Sequence, residues 1–174
     1  ILRCLVGSEM CIRDSPVRQV EAGWHHSCAV LSSGRVGCWG AGDHGRLGDG
    51  GTTDRNTPVY VDGGIGTERI ENAVHVTVGL LHSCALLDDG RVKCWGGNAD
   101  GQLGNGTFVD SPEPVYVTGL TDAVAIDAGV DYTCAVRENL TVRCWGNNTS
   151  GTLGNGTYGI DTHSAVPVTV SGLS

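Results

Sequence analysis

His82-Ser83-Cys84-Ala85-Leu86-Leu87-Asp88-Asp89-Gly90-Arg91-Val92-Lys93-Cys94-Trp95-Gly96 is the stretch that decides the fold. β-prone residues run up to Asp-Asp-Gly and resume after it. A Gly in third place suits a three-residue hairpin loop, whose last residue takes positive φ. The same design occurs twice more, at His26-Ser27-Cys28-Ala29-Val30-Leu31-Ser32-Ser33-Gly34-Arg35-Val36-Gly37-Cys38-Trp39-Gly40 and at Tyr132-Thr133-Cys134-Ala135-Val136-Arg137-Glu138-Asn139-Leu140-Thr141-Val142-Arg143-Cys144-Trp145-Gly146. Each copy leads into a Gly-rich stretch, Gly45-Arg46-Leu47-Gly48, Gly101-Gln102-Leu103-Gly104 and Gly151-Thr152-Leu153-Gly154. The spacing is 56 residues from Cys28 to Cys84 and 50 from Cys84 to Cys134. The extra six residues are expected in the loop Asp49–Arg55 or in Gly63–Gly66, both rich in turn formers.

The hairpin reading gives the cysteine spacing a mechanism. With Leu31 and Arg35 closing the loop, Cys28 faces Cys38 three rungs away, on a non-hydrogen-bonded rung where Cα atoms approach to about 4.5 Å. Disulfides accept that separation. Bridges are expected at Cys28–Cys38, Cys84–Cys94 and Cys134–Cys144, the alternative being reduced thiols packed as small apolar groups. Zinc would require His26 or His82 beside a Cys pair, and the third repeat has Tyr132 there, so no metal site is assigned. Leu140 stands where Gly34 and Gly90 stood. Leu at positive φ is costly, so this turn is expected to shift, with Asn139 in the left-handed position.

Each repeat has four candidate strands. Val17–Ala22, Ala73–Val78 and Ala123–Ala128 precede the hairpins, and the Pro-marked stretches at Pro58, Pro114 and Pro167 follow them. Pro suits an edge strand, where its missing N–H is harmless. Four short strands per repeat, with Gly and Trp at fixed places, describe a β-propeller blade. The expected class is all-β, a partial propeller of three four-stranded antiparallel blades. Adjacent Cys and Trp point to opposite sheet faces, so Trp39, Trp95 and Trp145 are expected in the cores between blades, with Gly48, Gly104 and Gly154 as repeat positions of structural weight.

Residues 82–104, ending Trp95-Gly96-Gly97-Asn98-Ala99-Asp100-Gly101-Gln102-Leu103-Gly104, resemble the repeat of the regulator of chromosome condensation family. The Gly-Gln-Leu-Gly signature is complete only at 101–104; Arg46 and Thr152 replace Gln in the other repeats. The resemblance covers about residues 17–174. It implies a seven-bladed ring, of which three blades would be present as a fragment. The paired Cys resemble the extracellular bacterial branch of that family, which implies secretion or a cell-surface location. Repeat boundaries are read at about 17–64, 65–120 and 121–174, within a repeat region of 16–174. Residues 1–15 share no pattern with the repeats and are read as a non-native leader, so Cys4 and Cys11 carry no inference.

Composition excludes several classes. The chain has 174 residues and 28 Gly, more than twice the roughly 7% of average usage and without the three-residue period of collagen. No apolar run reaches the length of a membrane-spanning helix. Net charge is −8 and only Lys93 is a lysine, which argues against a nucleic-acid partner, since phosphate contacts need clustered basic residues.

Nothing points to a catalytic residue or a cofactor. The glycines of Gly40–Gly45 have dinucleotide-loop spacing but precede no helix. Asp43, Asp49 and Asp54, with Asn98, Asp100 and Asn105 in the second repeat, show no regular calcium spacing, and turn chemistry accounts for them. The innermost strands offer only Glu21 and Asp127, in different repeats and read as out of register. His25, His44, His75 and His163 look scattered. The expected function is a non-catalytic scaffold for a protein partner, with contacts in Asp49–Arg55, Gly63–Arg69, Phe108–Glu113 and Tyr158–Ser164. The alternative implied by the resemblance is guanine-nucleotide exchange on a small GTPase, for which no residue here can be matched.

Overall fold

The computed structural model describes residues 16–62 and 69–173. The proposed leader 1–15 and residues 63–68 of the Gly63–Arg69 segment lie outside them. Twelve strands form three sheets. The first holds β1 (Val17–Ala22), β2 (His26–Leu31), β3 (Val36–Gly40) and β4 (Arg55–Tyr60). The second holds β5 (Ala73–Val78), β6 (His82–Leu87), β7 (Val92–Gly96) and β8 (Ser111–Tyr116). The third holds β9 (Ala123–Ala128), β10 (Tyr132–Arg137), β11 (Val142–Gly146) and β12 (Ser164–Thr169). Each is an antiparallel meander in chain order. The strands bearing Pro58, Pro114 and Pro167 lie at the outer edges, while β1, β5 and β9 run side by side within.

The hairpin register is the one the cysteine spacing requires. Cys28 faces Cys38, Cys84 faces Cys94 and Cys134 faces Cys144, with Cα atoms 4.1, 4.0 and 4.1 Å apart and sulfurs at disulfide distance. The third turn departs from expectation. Leu140 itself takes the left-handed conformation, φ 65°, matching Gly34 at 80° and Gly90 at 78°. The turn keeps its type because the register on either side is fixed and because Asn139 Oδ1 accepts from both Thr141 N and Thr141 Oγ1. At Gly34 an added Cβ would lie 2.1 Å from Glu71 O, whereas the Leu140 side chain is 80% exposed.

The six extra residues of the first period also find their place. The β3–β4, β7–β8 and β11–β12 loops span 41–54, 97–110 and 147–163, so the first two are equal in length. The difference lies instead between β4 and β5, where 12 residues (61–72) stand against 6 (117–122) between β8 and β9. This excludes the Asp49–Arg55 loop as its location.

Two cores form between adjacent sheets. One packs Cys28, Cys38, Val30 and Leu47 of the first blade with Val76 and Trp95 of the second; the other packs Cys84, Cys94 and Leu103 of the second with Ile126 and Trp145 of the third. Each core therefore joins the cysteine pair of one blade to the tryptophan of the next. Trp95 and Trp145 are fully buried, while Trp39 is half-buried. Trp39 belongs to the face of the first sheet that packs no other sheet among the described residues.

Candidate interaction face

Rigid seams position the loops. Trp95 Nε1 donates to Arg46 O (3.0 Å), and Ser83 Oγ donates to the same carbonyl (3.2 Å). His26 Nε2 lies 2.8 Å from Ser83 Oγ. Because that hydroxyl gives its proton to Arg46 O, the ring donates from Nε2, and burial keeps it neutral. The second seam repeats the arrangement. Trp145 Nε1 (2.8 Å) and Thr133 Oγ1 (3.2 Å) donate to Gln102 O, and His82 Nε2 lies 2.9 Å from Thr133 Oγ1. Gly48 and Gly104 make the approach possible. Their φ values are +70° and +66°, and a Cβ on either would lie 2.8 Å from the tryptophan ring of the next blade. Gly154 has the same conformation but faces Val170.

Burial pushes the His26 imidazole down to about 4, helped by the nearby Arg46 charge and opposed by Asp43. Burial pushes His82 down to about 3, with a smaller contribution from His26. Neither Nδ1 has a hydrogen-bond partner, so a proton added there would sit unsolvated.

Alternation in a meander puts the β1–β2 turns and the β3–β4 loops, with their counterparts in the other sheets, at one end of all three sheets. Backbone bonds tie them together: Ala41 N to His25 O (2.8 Å), Gly97 N to Leu81 O (2.7 Å) and Asn147 N to Asp131 O (2.9 Å). This end displays Trp24, Phe108, Val109, Val130, Tyr158 and Ile160 as exposed apolar side chains. Three of the four segments expected to contact a partner, Asp49–Arg55, Phe108–Glu113 and Tyr158–Ser164, converge here. Gly63–Arg69 falls between β4 and β5 in the sequence and lies largely outside the described residues.

The loops are held from within by two asparagines. Asn98 is buried; its amide donates to Thr107 O (2.9 Å) and Val109 O (3.0 Å) and accepts from Leu103 N (2.9 Å). Asn148 does the same, with Thr157 O (3.1 Å), Thr162 Oγ1 (3.0 Å) and Leu153 N (3.1 Å). The first repeat has Gly42 at this place, where a Cβ would lie 2.1 Å from Thr53 O. Its loop has Arg55 on Asp49 (2.7 Å) in place of the amide, and shares with the second repeat the bond of this backbone N to an aspartate, Gly42 N to Asp54 Oδ1 (2.9 Å) and Asn98 N to Asp110 Oδ1 (2.8 Å).

The third loop is three residues longer than the others, 147–163, and forms a single 3-10 turn at Ile160–Thr162. With the second-repeat loop it encloses an open cleft of about 570 Å³, lined by Asp100, Phe108, Asn147, Thr149, Ile160 and His163 together with Ala99 and Asp161. His163 Nδ1 lies 2.8 Å from Asp100 Oδ1 and its Nε2 lies 3.1 Å from Thr149 Oγ1. At the first seam the roles are exchanged. His44 Nδ1 of the first blade meets Asp110 Oδ2 of the second at 2.6 Å.

Three repeats of one family account for this organisation. Residues 17–46, 73–102 and 123–152 match the family model described as Regulator of chromosome condensation (RCC1) repeat, and a second model of the same description matches 33–86 and 89–136. The chain belongs to the RCC1-repeat family. It is 43% identical over 104 residues to the E3 ubiquitin-protein ligase HERC2 of Homo sapiens, covering 60% of this chain and 2% of that protein. It is 34% identical over 110 residues to the ultraviolet-B receptor UVR8 of Arabidopsis thaliana, covering 63% of this chain and 24% of that one. Among solved structures, human WBSCR16 superposes with a TM-score of 0.77 at 24% identity, over 91% of this chain and 38% of that one. Prp20p of Saccharomyces cerevisiae, described with its binding to Gsp1p and histones, superposes with a TM-score of 0.73 at 20% identity over 90% and 39%. The chain thus spans about two fifths of these solved propellers, and they establish its fold.

The RCC1-repeat frame also corrects the reading of the inner strands. Glu21 pairs with Cys28, Thr77 with Cys84 and Asp127 with Cys134. Glu21 and Asp127 therefore share one register position, with the second blade's Thr77 between them. They do not converge as a catalytic pair would. The suspected calcium residues are engaged elsewhere: Asp43 pairs with Arg46, Asp49 with Arg55, and Asp100 with His163. Among the described residues no three His, Cys, Asp or Glu side chains cluster as metal ligands would, and no helix is long and apolar enough to cross a membrane. Sequence reading missed the seam roles of His44, His75 and His163. His75 Nε2 lies 3.1 Å from Gln19 Nε2, whose amide also brackets Val76 of the neighbouring strand. It assigned Asn98 to turn chemistry, as the loop bonds bear out, but missed the same role for Asn148, although both stand three residues after the repeat tryptophan.

Proposed function

We propose that this chain is a non-catalytic propeller scaffold that binds a protein partner through the loop end of its blades. The observation that carries the reading is the gathering of three sequence-variable segments and six exposed apolar side chains at that one end, on sheets locked together by buried hydrogen bonds. Loops on a rigid support are where interaction surfaces are built. The binding of Gsp1p and histones by a protein of like fold fits a protein partner. Nothing at the loop end favours exchange on a small GTPase. The half-buried Trp39 of the first blade and the partly open Cys134 face of the third suit further blades of a seven-bladed ring, which is consistent with repeats at 17–64, 65–120 and 121–174 within a longer propeller. Oxidised cysteine pairs suit a secreted or cell-surface protein.

Selection of a displayed random-peptide library on the folded chain tests the scaffold reading. Selected peptides should lose binding when Val109 and Tyr158 are changed to Ser. They should keep binding when Leu140, at the opposite end, is changed to Ser. Peptides that respond only to the Leu140 change would overturn the assignment of the face.

A further inference from the structure

The long third loop does more than enlarge the apolar face. Its extra residues bring Ile160 and Asp161 opposite Phe108 and Asp100 of the second blade. We propose that the cleft between the second and third blades receives one cationic side chain, arginine above all, of the partner polypeptide. This inference rests on the interaction reading and names the chemistry of what enters.

Charge is the first argument. Asp100 and Asp161 line the cleft and no lysine or arginine does; Asp100 already holds His163 through Oδ1, so Asp161 is the carboxylate left to meet a cation. His163 is held at both ring nitrogens, by Asp100 and by Thr149, so it is oriented within the wall and does not project into the space. Asp161 is exposed and has no ion pair among the described residues. Asp131 stands one backbone hydrogen bond from the wall, through its carbonyl to Asn147 N (2.9 Å). Its carboxyl is half-buried and likewise has no ion pair among the described residues. Burial and the Asp100 charge push it above the usual carboxylate range.

Shape is the second argument. The walls are not uniformly acidic: Phe108 and Ile160 face the cleft from its two sides. A guanidinium can lay its flat face on an aromatic ring while its edge donates to carboxylates in paired fashion. A metal ion would need ligands that converge, and these do not. The cleft is open to solvent and lies in the same two loops as exposed Val109 and Tyr158, which suits a side chain from an extended segment better than an enclosed small molecule. The first seam lacks the extra residues. Beneath the loops both seams are packed alike, Gly45 on Pro112 and Gly101 on Ala165, with Cβ positions 2.3 and 2.7 Å from the partner Cα, so the difference lies in the longer third loop alone.

The test uses the oxidised chain and a fluorescent pentapeptide, Ala-Leu-Arg-Leu-Ala, with lysine, citrulline and glutamate at the centre as comparisons. Citrulline keeps the shape of arginine and removes its charge. Anisotropy should show the arginine peptide binding about tenfold or more tightly than the citrulline one, the scale of a charge-assisted hydrogen bond. Asp161→Asn should erase that difference and leave citrulline binding unchanged; Phe108→Ser should weaken both. Amide resonances should shift only within 98–110 and 147–163. Equal binding of arginine and citrulline peptides, shifts elsewhere, or no binding at millimolar peptide would overturn the proposal. Library peptides that map to the loop end but carry no cationic residue would remove this inference and leave the interaction reading standing.

Discussion

Mild acid should loosen the seams between blades, and two buried histidines set the size of the effect. In the folded chain His26 titrates near 4 and His82 near 3, against about 6.5 when unfolded. Both folded values are depressed, so the unfolded chain takes up protons first as pH falls. The stability these neutral rings confer is complete above about 6.5, and it is lost on descending towards the folded values. Each ring costs about 1.4 kcal/mol per pH unit well inside that window. Between about pH 7 and pH 5 each contributes about 2 kcal/mol, and the pair about 4, a large part of the 5–15 kcal/mol typical of a domain. Asp89 and Asp122, held below the usual carboxylate range by hydrogen bonds from Arg91 and Arg137, titrate below this window. Urea unfolding followed by tryptophan fluorescence at several pH values, on the wild type and on His26→Gln with His82→Gln, measures the difference. Gln keeps an N–H for Ser83 or Thr133 and removes the ring proton. The wild type should lose about 4 kcal/mol more than the double variant over that interval, and His26→Gln alone should recover about half. Parallel pH profiles would refute the reasoning, as would a ring resonance of either histidine titrating near 6.5 in the folded chain.

Gly104→Ala should destabilise by about 2–4 kcal/mol, from positive φ and from the clash with Trp145; Gly154→Ala should cost less, since no ring lies against it, and thermal unfolding of the two variants compares them. Leu140→Gly should stabilise by up to about 1 kcal/mol, because the left-handed strain is removed and only an exposed side chain is lost; a fall in stability would contradict the strain at that turn. Cys84→Ala with Cys94→Ala should cost about 3 kcal/mol if the pair is bridged, as for other loops of this length. Alkylation of the denatured, unreduced protein should leave Cys28, Cys38, Cys84, Cys94, Cys134 and Cys144 unmodified, and six labelled thiols would sink the bridges.

Local pattern carried most of the fold. The turn at Asp88-Asp89-Gly90 and a side-chain period of two fix which residues face each other, so the strand spans and the Cys84–Cys94 rung could be read without coordinates. The third turn was misread because propensity alone ranks Leu140 poorly at positive φ. The register on both sides and the Asn139 bonds outweigh that local cost. The Glu21–Asp127 relation was misread although the spans Val17–Ala22 and Ala123–Ala128 place both fifth in their strands, two residues before Gly23 and Gly129; the repeat alignment itself carried that register, and the strand pairing shows it.

By itself, then, the sequence determined the blades: three antiparallel meanders with Pro-bearing outer strands, paired cysteines and recurrent Trp and Gly. These follow from interactions among near neighbours along the chain, and they repeat because the residues repeat. Only the tertiary structure decided what lies between blades. The carbonyls of Arg46 and Gln102, the partners of His26 and His82, and the cleft of Asp100, His163 and Ile160 each join groups from different repeats. Their juxtaposition depends on how one sheet stacks on the next and on three extra residues in a single loop, and no periodicity within one repeat encodes it.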